Sequence, residues 1–338
     1  MDPNVWAALL LAGGLAVLLT GAKYFVDGIA ALAEALGVPP LIVGMTVVAF
    51  GTSTPELVIN ALSAYRGETA LAFGNIVGSC TVNIGFVLGV VALIQPLKVE
   101  PSLITREIPM LWVAVCALLI LGNDRLLNGG LGADVFGRGD GLMLLLLFAI
   151  FLYYTAIYSI ARRKLAGAAD AFVEEVREEI AAAPPDRRSM ARHGVAVVLG
   201  LIAVSAGAAW AVDGATGLAR VLGMSESLIG LTIVSLGTTL PELVTCAMAA
   251  RRGNADIALG NIVGSNLFNI LGIGGVVAAI RPVPVPPGGQ IDLLFMSTLS
   301  AVLLPLAIRS GQRITRGEGA FLLVTYLAFL VWRVFGTA

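Results

Sequence analysis

Long apolar segments, separated by short polar or glycine-rich stretches, dominate the pattern along the 338 residues. A run of roughly 17–25 apolar residues is long enough to cross the hydrocarbon core of a bilayer. The ten segments that meet this length lie at about 5–36, 41–64, 69–94, 104–122, 141–161, 194–222, 227–250, 255–280, 291–308 and 319–336. The pattern predicts an all-α polytopic membrane protein with ten transmembrane helices. The first and sixth are overlong, so we expect them to tilt or to run partly along the interface.

A polar segment, 162–193, divides the ten segments into two sets of five. Within it, apolar residues recur four positions apart from Phe172 to Ile180, and two prolines end the pattern. We expect a short amphipathic linker helix whose glutamates form a solvated face rather than a calcium sensor. The predicted organisation is a first five-helix repeat over 1–161, this cytoplasmic linker, and a second five-helix repeat over 194–338.

The second set of segments repeats the sequence of the first. Residues 44–89 align without gaps to residues 230–275 at a constant offset of 186, with 23 of 46 positions identical. The same offset pairs Asp27 in KYFVDG with Asp213 in AWAVDG. Because each copy has an odd number of crossings, the second copy must enter the membrane upside down relative to the first. The sequence therefore predicts two inverted repeats related by a two-fold axis in the membrane plane.

The loops carry an uneven distribution of positive charge. If the linker is cytoplasmic, fourteen Lys and Arg residues of the loops lie inside and six lie on the opposite side. Cytoplasmic loops of membrane proteins are enriched in basic residues. The predicted location is a cell membrane, inner or plasma, with both termini outside the cytoplasm.

Composition narrows the classes of function. The chain is 58% hydrophobic and 13% charged, with a mean hydropathy of +0.92, which excludes a water-soluble surface. Its net charge of −1 and the absence of a long basic run argue against nucleic-acid binding. Three cysteines, Cys80, Cys116 and Cys246, lie in apolar segments without CxxC spacing, and we expect them to be buried small residues.

A carboxylate follows a proline in the second span of each repeat. The motifs are GTSTPE, which ends at Glu56, and GTTLPE, which ends at Glu242. Proline removes a backbone donor, so Pro55 and Pro241 should free carbonyls one turn earlier. Hydroxyls adjoin each carboxylate at Thr52, Ser53, Thr238 and Thr239. An environment made only of oxygen atoms suits hard cations such as calcium and sodium.

Two acidic residues near the middle of a bilayer need neutralisation. A single acidic residue there costs roughly 2.5–3.5 kcal/mol on insertion scales. The motif spans contain no basic residue at that depth, whereas one divalent ion or two monovalent ions would balance Glu56 and Glu242. The alternative is a pair of protonated glutamates that only hold the helices together. Duplication of the whole motif at symmetric positions favours the cation site.

The third span of each repeat contains GNIVGSCTVN or GNIVGSNLFN. Its glycines, spaced four apart, permit close helix contact and do not form a phosphate loop, because no strand precedes them. Helical spacing places a serine and an asparagine on one face in each copy, facing the same cavity as the carboxylates. These pairs are Ser79 with Asn83 and Ser265 with Asn269. Asn75 and Asn261 lie one turn earlier, where interhelical hydrogen bonding alone would also explain them.

Both pairs of motifs resemble the alpha repeats of the sodium/calcium exchanger branch of the cation/calcium antiporter superfamily, in its prokaryotic form with two repeats. The resemblance covers the whole chain and implies ten helices, alternating access, and calcium and sodium as transported ions. It implies no cofactor, and we expect one chain to function as a monomer in the bilayer.

The resemblance also implies roles for individual residues. Glu56 and Glu242, with the carbonyls of Thr52 and Thr238, correspond to the calcium site. The same two glutamates also bind sodium. One flanking sodium site corresponds to the Ala49 carbonyl, Ser53 and Ser79, and the other to the Ser235 carbonyl, Thr239 and Ser265. Asn83 and Asn269 face the centre. Several relatives carry aspartate where this chain has Asn269, so potassium coupling and stoichiometry stay open.

Three other functions fit parts of the pattern. A proton/calcium antiporter is the nearest, since a buried glutamate pair can exchange protons as well as sodium. An intramembrane hydrolase would need a base or nucleophile in a cavity, yet the only histidine, His193, lies at the end of the linker. A calcium channel would need a continuous pore, whereas inverted repeats around a central site favour alternating access.

Overall fold

A computed structural model describes residues 3–127, 129–177, 187–223 and 235–335. In chain order its helices are α1 (Pro3–Leu36), α2 (Pro40–Val43), α3 (Ala49–Thr52), α4 (Thr54–Arg66), α5 (Thr69–Val82), α6 (Leu88–Ile94), α7 (Ile108–Leu121), α8 (Asp124–Leu127), α9 (Arg138–Arg177), α10 (Arg187–Val221), α11 (Ser235–Thr238), α12 (Leu240–Arg251), α13 (Ala255–Leu267), α14 (Gly274–Ile280), α15 (Gly289–Arg309) and α16 (Arg316–Phe335). Four π-helical segments continue neighbouring helices: π1 (Gly44–Val48), π2 (Asn83–Val87), π3 (Leu103–Glu107) and π4 (Phe268–Ile273).

The structure is helical, as the apolar pattern predicts. Among the described residues, 7 helices are long and apolar enough to cross a membrane, or up to 8 if the bent pair Pro40–Thr52 and Thr54–Arg66 counts as one span. The predicted span at 227–250 lies partly on residues 224–234, outside the described residues. The predicted span at 319–336 coincides with α16 (Arg316–Phe335). The chain is a multi-pass membrane protein.

The described part of the linker, residues 162–177, is helical and is not separated from the fifth predicted span. Helix α9 runs without a break from Arg138 to Arg177, so residues 162–177 continue the fifth predicted span. The physical reason is that the sequence between 161 and 177 contains no proline and only one glycine, Gly167, so no strong helix-breaking signal separates the two. The prolines that were expected to end the linker helix lie outside the described residues.

The long helices α1 and α10 form one closely packed antiparallel pair. Along the pair, Leu11 contacts Gly214, Leu18 contacts Gly207 and Phe25 contacts Gly200. A Cβ added at Gly200 would lie 2.7 Å from the Phe25 nitrogen, closer than real Cβ atoms approach. Glycines recur every seven residues on both helices, at positions related by the offset of 186: Gly14, Gly21 and Gly28, and Gly200, Gly207 and Gly214. Small residues at this spacing let the two backbones touch along their length.

Two short antiparallel sheets join loops from different halves of the chain. β1 (Leu97–Lys98) pairs with β4 (Arg313–Ile314), and β2 (Val135–Phe136) pairs with β3 (Val283–Pro284). The loops of the first sheet lie on the linker side in the predicted topology, and those of the second sheet lie on the other side. The pairing therefore agrees with the predicted order of crossings. We call the two sides of the molecule the linker end and the opposite end.

Burial separates the helices into a core and a periphery. The percentages here are the buried share of an 18-residue apolar window in each span. This share is 89% in Ala255–Ile280 and 78% in Thr69–Ile94, but 17% in Arg138–Ala161. The helices with polar motifs are thus the most enclosed. Cys80 and Cys246 are buried there as expected, but the expectation is wrong for Cys116, which is exposed on the apolar surface of α7.

Candidate cation-binding site

The two carboxylates lie just after a break in a helix. Helix α3 ends at Thr52 and α4 begins at Thr54, with Ser53 between them at φ −90° and ψ 5°. In the second half, Thr239 separates α11 from α12 at φ −96° and ψ 0°. The prolines fall in the first turn of the new helices, where a missing N–H costs little.

This geometry places Glu56 and Glu242 in the first turn of a helix. The backbone N–H groups of a first turn are not used within the helix, and the positive end of the helix dipole favours a negative charge there. Both carboxylates are buried. The helices thus break beside Pro55 and Pro241, and in the first half the break bends the span by 48°.

The two backbone carbonyls expected in the flanking sodium sites belong to the first residue of the short helix that precedes each break. The Ala49 carbonyl, at the beginning of α3, accepts the Ser53 N–H at 3.0 Å. Ser235 begins α11, and the Thr239 N–H bonds to the Leu236 carbonyl at 3.2 Å instead. The Thr52 hydroxyl also lies 3.4 Å from the Ala49 carbonyl oxygen, which has two lone pairs.

Asn83 and Asn269 both lie in π-helical segments. π2 begins at Asn83, and π4 includes Asn269 one residue after its start. A π-helical turn inserts extra backbone into an α-helix and is common at functional sites. Both side chains are buried, as are Ser79 and Ser265 one turn earlier. The expected faces of the third spans therefore point into the protein.

Hydrogen bonds join the polar residues of the two halves. The Ser53 hydroxyl donates to Glu242 Oε1 at 3.3 Å. The Thr52 hydroxyl lies 3.3 Å from Asn261 Oδ1, and Asn83 Nδ2 donates to Asn266 Oδ1 at 3.1 Å. The residues singled out in the two sequence motifs thus meet at one place in the fold.

Several buried oxygens in these elements have no hydrogen-bond partner. They are Glu56 Oε2, Glu242 Oε2, Asn83 Oδ1, Asn269 Oδ1, Asn60 Oδ1 and Thr245 Oγ1. Burying such atoms without a partner is costly, and the cost is largest for ionised carboxylates. Carboxylate and amide oxygens are the ligands that calcium and sodium prefer. The oxygen set therefore fits a dehydrated hard cation.

Sequence reasoning missed four residues that support the site. Asn60 Nδ2 donates to Asn75 Oδ1 at 3.0 Å, and at the corresponding place in the second half Asn261 Nδ2 contacts Cys246 Sγ at 3.2 Å. Cys80 and Asn266 contact each other near the centre, where Asn266 Nδ2 lies 3.5 Å from the Cys80 carbonyl. The offset of 186 pairs Asn60 with Cys246 and Cys80 with Asn266. These four residues could have been identified from the sequence by applying the offset to every polar residue in the spans.

The two halves differ in how tightly their glycines pack. A Cβ at Gly260 would lie 2.5 Å from the Leu41 carbonyl, so α13 touches α2 and π1. At the corresponding position in the first half, Gly74 is exposed, and among the described residues a Cβ there would meet no atom within 4 Å. Gly78 is open in the same way. By the offset, the counterpart of the α2–π1 surface is residues 226–234, which lie outside the described residues.

Comparison with known proteins gives the family. The model of the sodium/calcium exchanger protein family matches residues 6–157 and 193–335, which together span most of both halves. The chain belongs to the sodium/calcium exchanger family. The predicted resemblance is confirmed, and the antiporter family it names consists of transporters rather than enzymes.

Relatives of this exchanger-family protein match over nearly their whole length. The sodium/calcium exchanger MaX1 of Methanosarcina acetivorans is 34% identical over 343 residues, which cover 96% of this chain and 97% of that protein. The inner membrane protein YrbG of Escherichia coli K12 is 34% identical over 334 residues, with the same shares covered. A solved structure of the sodium-calcium exchanger NCX_Mj superposes with a TM-score of 0.80 at 29% identity, covering 97% of this chain and 98% of that one. A cation/calcium antiporter function is therefore supported for this chain.

Proposed function

We propose that this protein is a secondary active antiporter that exchanges calcium for sodium by alternating access, with Glu56 and Glu242 at its cation site. The observation that carries the proposal is the set of buried, unpartnered oxygens on Glu56, Glu242, Asn83 and Asn269. These four residues form two pairs at the offset of 186, so each half supplies one carboxylate and one amide. A cation between them satisfies both halves at once.

The proposed calcium site consists of both carboxylates and the carbonyls of Thr52 and Thr238. Two sodium ions bind beside it in the exchange cycle. One uses the Ala49 carbonyl, Ser53 and Ser79, and the other uses the Ser235 carbonyl, Thr239 and Ser265. Asn83 and Asn269 line the centre and supply neutral amide oxygens. All of these groups come from a single chain, so we propose that the monomer is the functional unit.

Charge balance sets the stoichiometry that this core favours. With Glu56 and Glu242 ionised, one calcium ion or two sodium ions give neutrality, whereas three sodium ions leave an excess positive charge. Among the described residues, no group of three or more His, Cys, Asp or Glu side chains forms a further metal-binding cluster. A water between Asn83 and Asn269 would complete the centre when two sodium ions bind.

We also propose that ten helices form two inverted five-helix repeats, divided at 161 and 194. Three features support the arrangement. The glycines of α1 and α10 occupy matched positions in an antiparallel pair, both helix breaks recur at the offset of 186, and each sheet takes one strand from each half. With the linker cytoplasmic, both termini lie outside the cytoplasm.

Calcium uptake into proteoliposomes tests the function. Protein reconstituted with sodium inside should take up calcium when the outside solution is free of sodium, and collapse of the sodium gradient should stop the uptake. A proton gradient of equal size, without sodium, is the control. Uptake driven by the proton gradient alone would assign the protein to the proton/calcium antiporters. Uptake that needs no gradient of a counter-ion would indicate a channel.

A further inference from the structure

Two asparagines at matched positions present opposite atoms to their matched neighbours. Asn75 on α5 and Asn261 on α13 are related by the offset of 186, and each lies one turn before the serine of a proposed sodium site, Ser79 or Ser265. In the predicted topology α13 starts at the linker end and α5 at the opposite end. We therefore call the surroundings of Asn261 the linker half of the site and those of Asn75 the opposite half.

In the opposite half, Asn60 sets the orientation of the Asn75 amide. Asn60 Nδ2 donates to the Glu56 carbonyl at 2.8 Å, and a carbonyl only accepts, so this atom of Asn60 is the donor. The same Nδ2 donates to Asn75 Oδ1 at 3.0 Å. The Ser79 hydroxyl lies 3.5 Å from that oxygen, at the long limit of a hydrogen bond. The amide oxygen of Asn75 is therefore bonded chiefly to Asn60, and Ser79 is held weakly.

In the linker half, a cysteine occupies the matched position and the amide is reversed. The Cys246 thiol lies 3.5 Å from the Ala258 carbonyl, to which only the S–H can donate. The sulfur lone pairs then accept Asn261 Nδ2 at 3.2 Å. This contact leaves Asn261 Oδ1 for the other side of the amide, where the Ser265 hydroxyl donates to it at 3.3 Å and the Thr52 hydroxyl lies at the same distance.

We propose that Cys246 is a positioning residue that makes the flanking sodium site at Ser265 stronger than the one at Ser79. The proposal rests on the proposed antiport, in which each serine is a ligand of one sodium ion. A serine that donates its proton to an amide oxygen keeps its lone pairs free for a cation. Asn261 Oδ1 takes the proton of Ser265, and Cys246 holds that oxygen in place.

Burial strengthens this difference between the halves. Cys246, Asn261 and Ser265 are fully buried, so their bonds are made inside the protein. Asn75 is partly exposed, and its amide oxygen is shared between Asn60 and Ser79. The serine of the linker half is thus prepared for a cation before the cation arrives, which lowers the cost of binding.

Exchange of the cysteine for the residue of the first repeat tests the orientation. In Cys246→Asn, the Glu242 carbonyl one turn earlier would hold the new amide nitrogen, as the Glu56 carbonyl does in the first repeat. Two donors would then face each other, so the Asn261 amide must turn, and Ser265 loses its acceptor. Sodium affinity should fall about two- to tenfold, the effect of losing one neutral hydrogen bond. Calcium affinity should stay nearly unchanged, because the proposed calcium ligands are the glutamates and threonine carbonyls.

Thermal unfolding in detergent measures both affinities without transport. An ion that binds only the folded protein raises its unfolding midpoint in proportion to its occupancy. One titration uses sodium chloride, with choline chloride holding the ionic strength constant, and another uses calcium chloride without sodium. Cys246→Ala, which removes the acceptor without adding a donor, should shift the sodium curve in the same direction by less. Cys246→Ser, which retains a donor and an acceptor, should shift it least, and Cys116→Ser on the exposed face of α7 is the control.

The two curves separate positioning from a general loss of stability. Sodium curves of Cys246→Asn and Cys246→Ala that match the parent protein, or equal shifts of the sodium and calcium curves, would overturn the proposal. A parent protein that sodium does not stabilise would overturn it as well. Sodium-driven calcium uptake is measured on the same preparations. Uptake by the parent with unshifted sodium curves in the variants refutes only the role of Cys246, and shifted sodium curves without any uptake by the parent refute only the antiport function.

Discussion

The linker half and the opposite half of the site come from repeats that match at 23 of 46 positions, yet their described residues pack differently. On the linker half, Gly260 presses against the backbone of Leu41 and the Thr52 hydroxyl reaches Asn261. On the opposite half, Gly74 is open and Asn75 accepts its hydrogen bond from Asn60 of its own repeat. Among the described residues, one copy of the motif is closely packed against its neighbour and the other is not.

The asymmetry extends to the carboxylates. Ser53 donates a hydrogen bond to Glu242 across the two repeats, whereas Thr239, the counterpart of Ser53, has no such bond to Glu56 among the described residues. Under the proposed alternating access, this difference in packing corresponds to one state of the exchange cycle. Exchanging the two packings would produce the mirror state without any new contact type.

The largest effect on transport is expected from removing the charge of one glutamate at a time, in either half. Glu56→Gln and Glu242→Gln should each lower sodium-driven calcium uptake about 100-fold or more, because loss of one member of a buried charge set costs about 3–5 kcal/mol. The measurement is calcium uptake at matched protein levels. Glu34→Gln, at an exposed carboxylate on α1, is the control and should retain uptake.

Equal loss in both glutamine variants would show that both halves share one site despite their different packing. Normal uptake in either variant, in protein that elutes as a monodisperse peak, would remove that glutamate from the site.

A pair of glycine substitutions sharpens the contrast in packing. Gly260→Ala should lower stability by about 1–3 kcal/mol because its Cβ meets backbone that cannot move aside. Gly74→Ala should change stability by less than about 0.5 kcal/mol. Thermal unfolding in detergent compares the two. Equal destabilisation would mean that the open half is closed in solution.

The same glycine variants test exchange of the two packings. Gly74 must pack tightly in the mirror state, so Gly74→Ala should slow calcium exchange while leaving the unfolding midpoint unchanged. Gly78→Ala, on the same open face, should behave alike. A Gly74→Ala protein with full exchange activity would argue that this half never closes.

An added charge at the centre produces a smaller change. Asn269→Asp gives the core a third acidic group, which either strengthens cation binding or takes up a proton. Because protons then compete with calcium, apparent calcium affinity should fall more steeply as the pH is lowered than in the parent protein. Calcium uptake across pH, with and without potassium, measures it. Asn83→Asp is the matched variant in the other half.

Two results would contradict this account of the centre. One is an absolute potassium requirement in the parent protein, and the other is an identical pH profile in Asn269→Asp. Either would show that Asn269 does not set the charge of the core.

Labelling of the linker should leave transport unaffected. It shows which side of the membrane the linker half of the site faces. A single cysteine in 162–193, after replacement of the native cysteines, should react in whole cells only with reagents that enter the cytoplasm. The closed half would then face the cytoplasm. Reaction with an impermeant reagent added outside would invert the assignment of the two ends.

Much of this architecture was predictable because lipid imposes strong rules on sequence. Spans, breaks beside Pro55 and Pro241, and the convergence of the two motifs all follow from hydropathy, proline chemistry and the repeat. The π-helical segments at Asn83 and Asn269 were not predictable, since no residue type specifies a π turn. Two nearly identical motifs also carry no information about which half is closed.

The interleaved strands bear on how such a chain could arise. β1 and β2 belong to the first half, β3 and β4 to the second, and each sheet needs one strand of each. If the proposed inverted repeats arose from one five-helix polypeptide, a single copy could complete neither sheet, and a second copy in the opposite orientation would supply the missing strands. Gene duplication followed by fusion through a linker would have fixed both orientations in one polypeptide. Coexpressed fragments ending near 161 and beginning near 194 should accordingly assemble as complementary partners, and neither should be stable by itself.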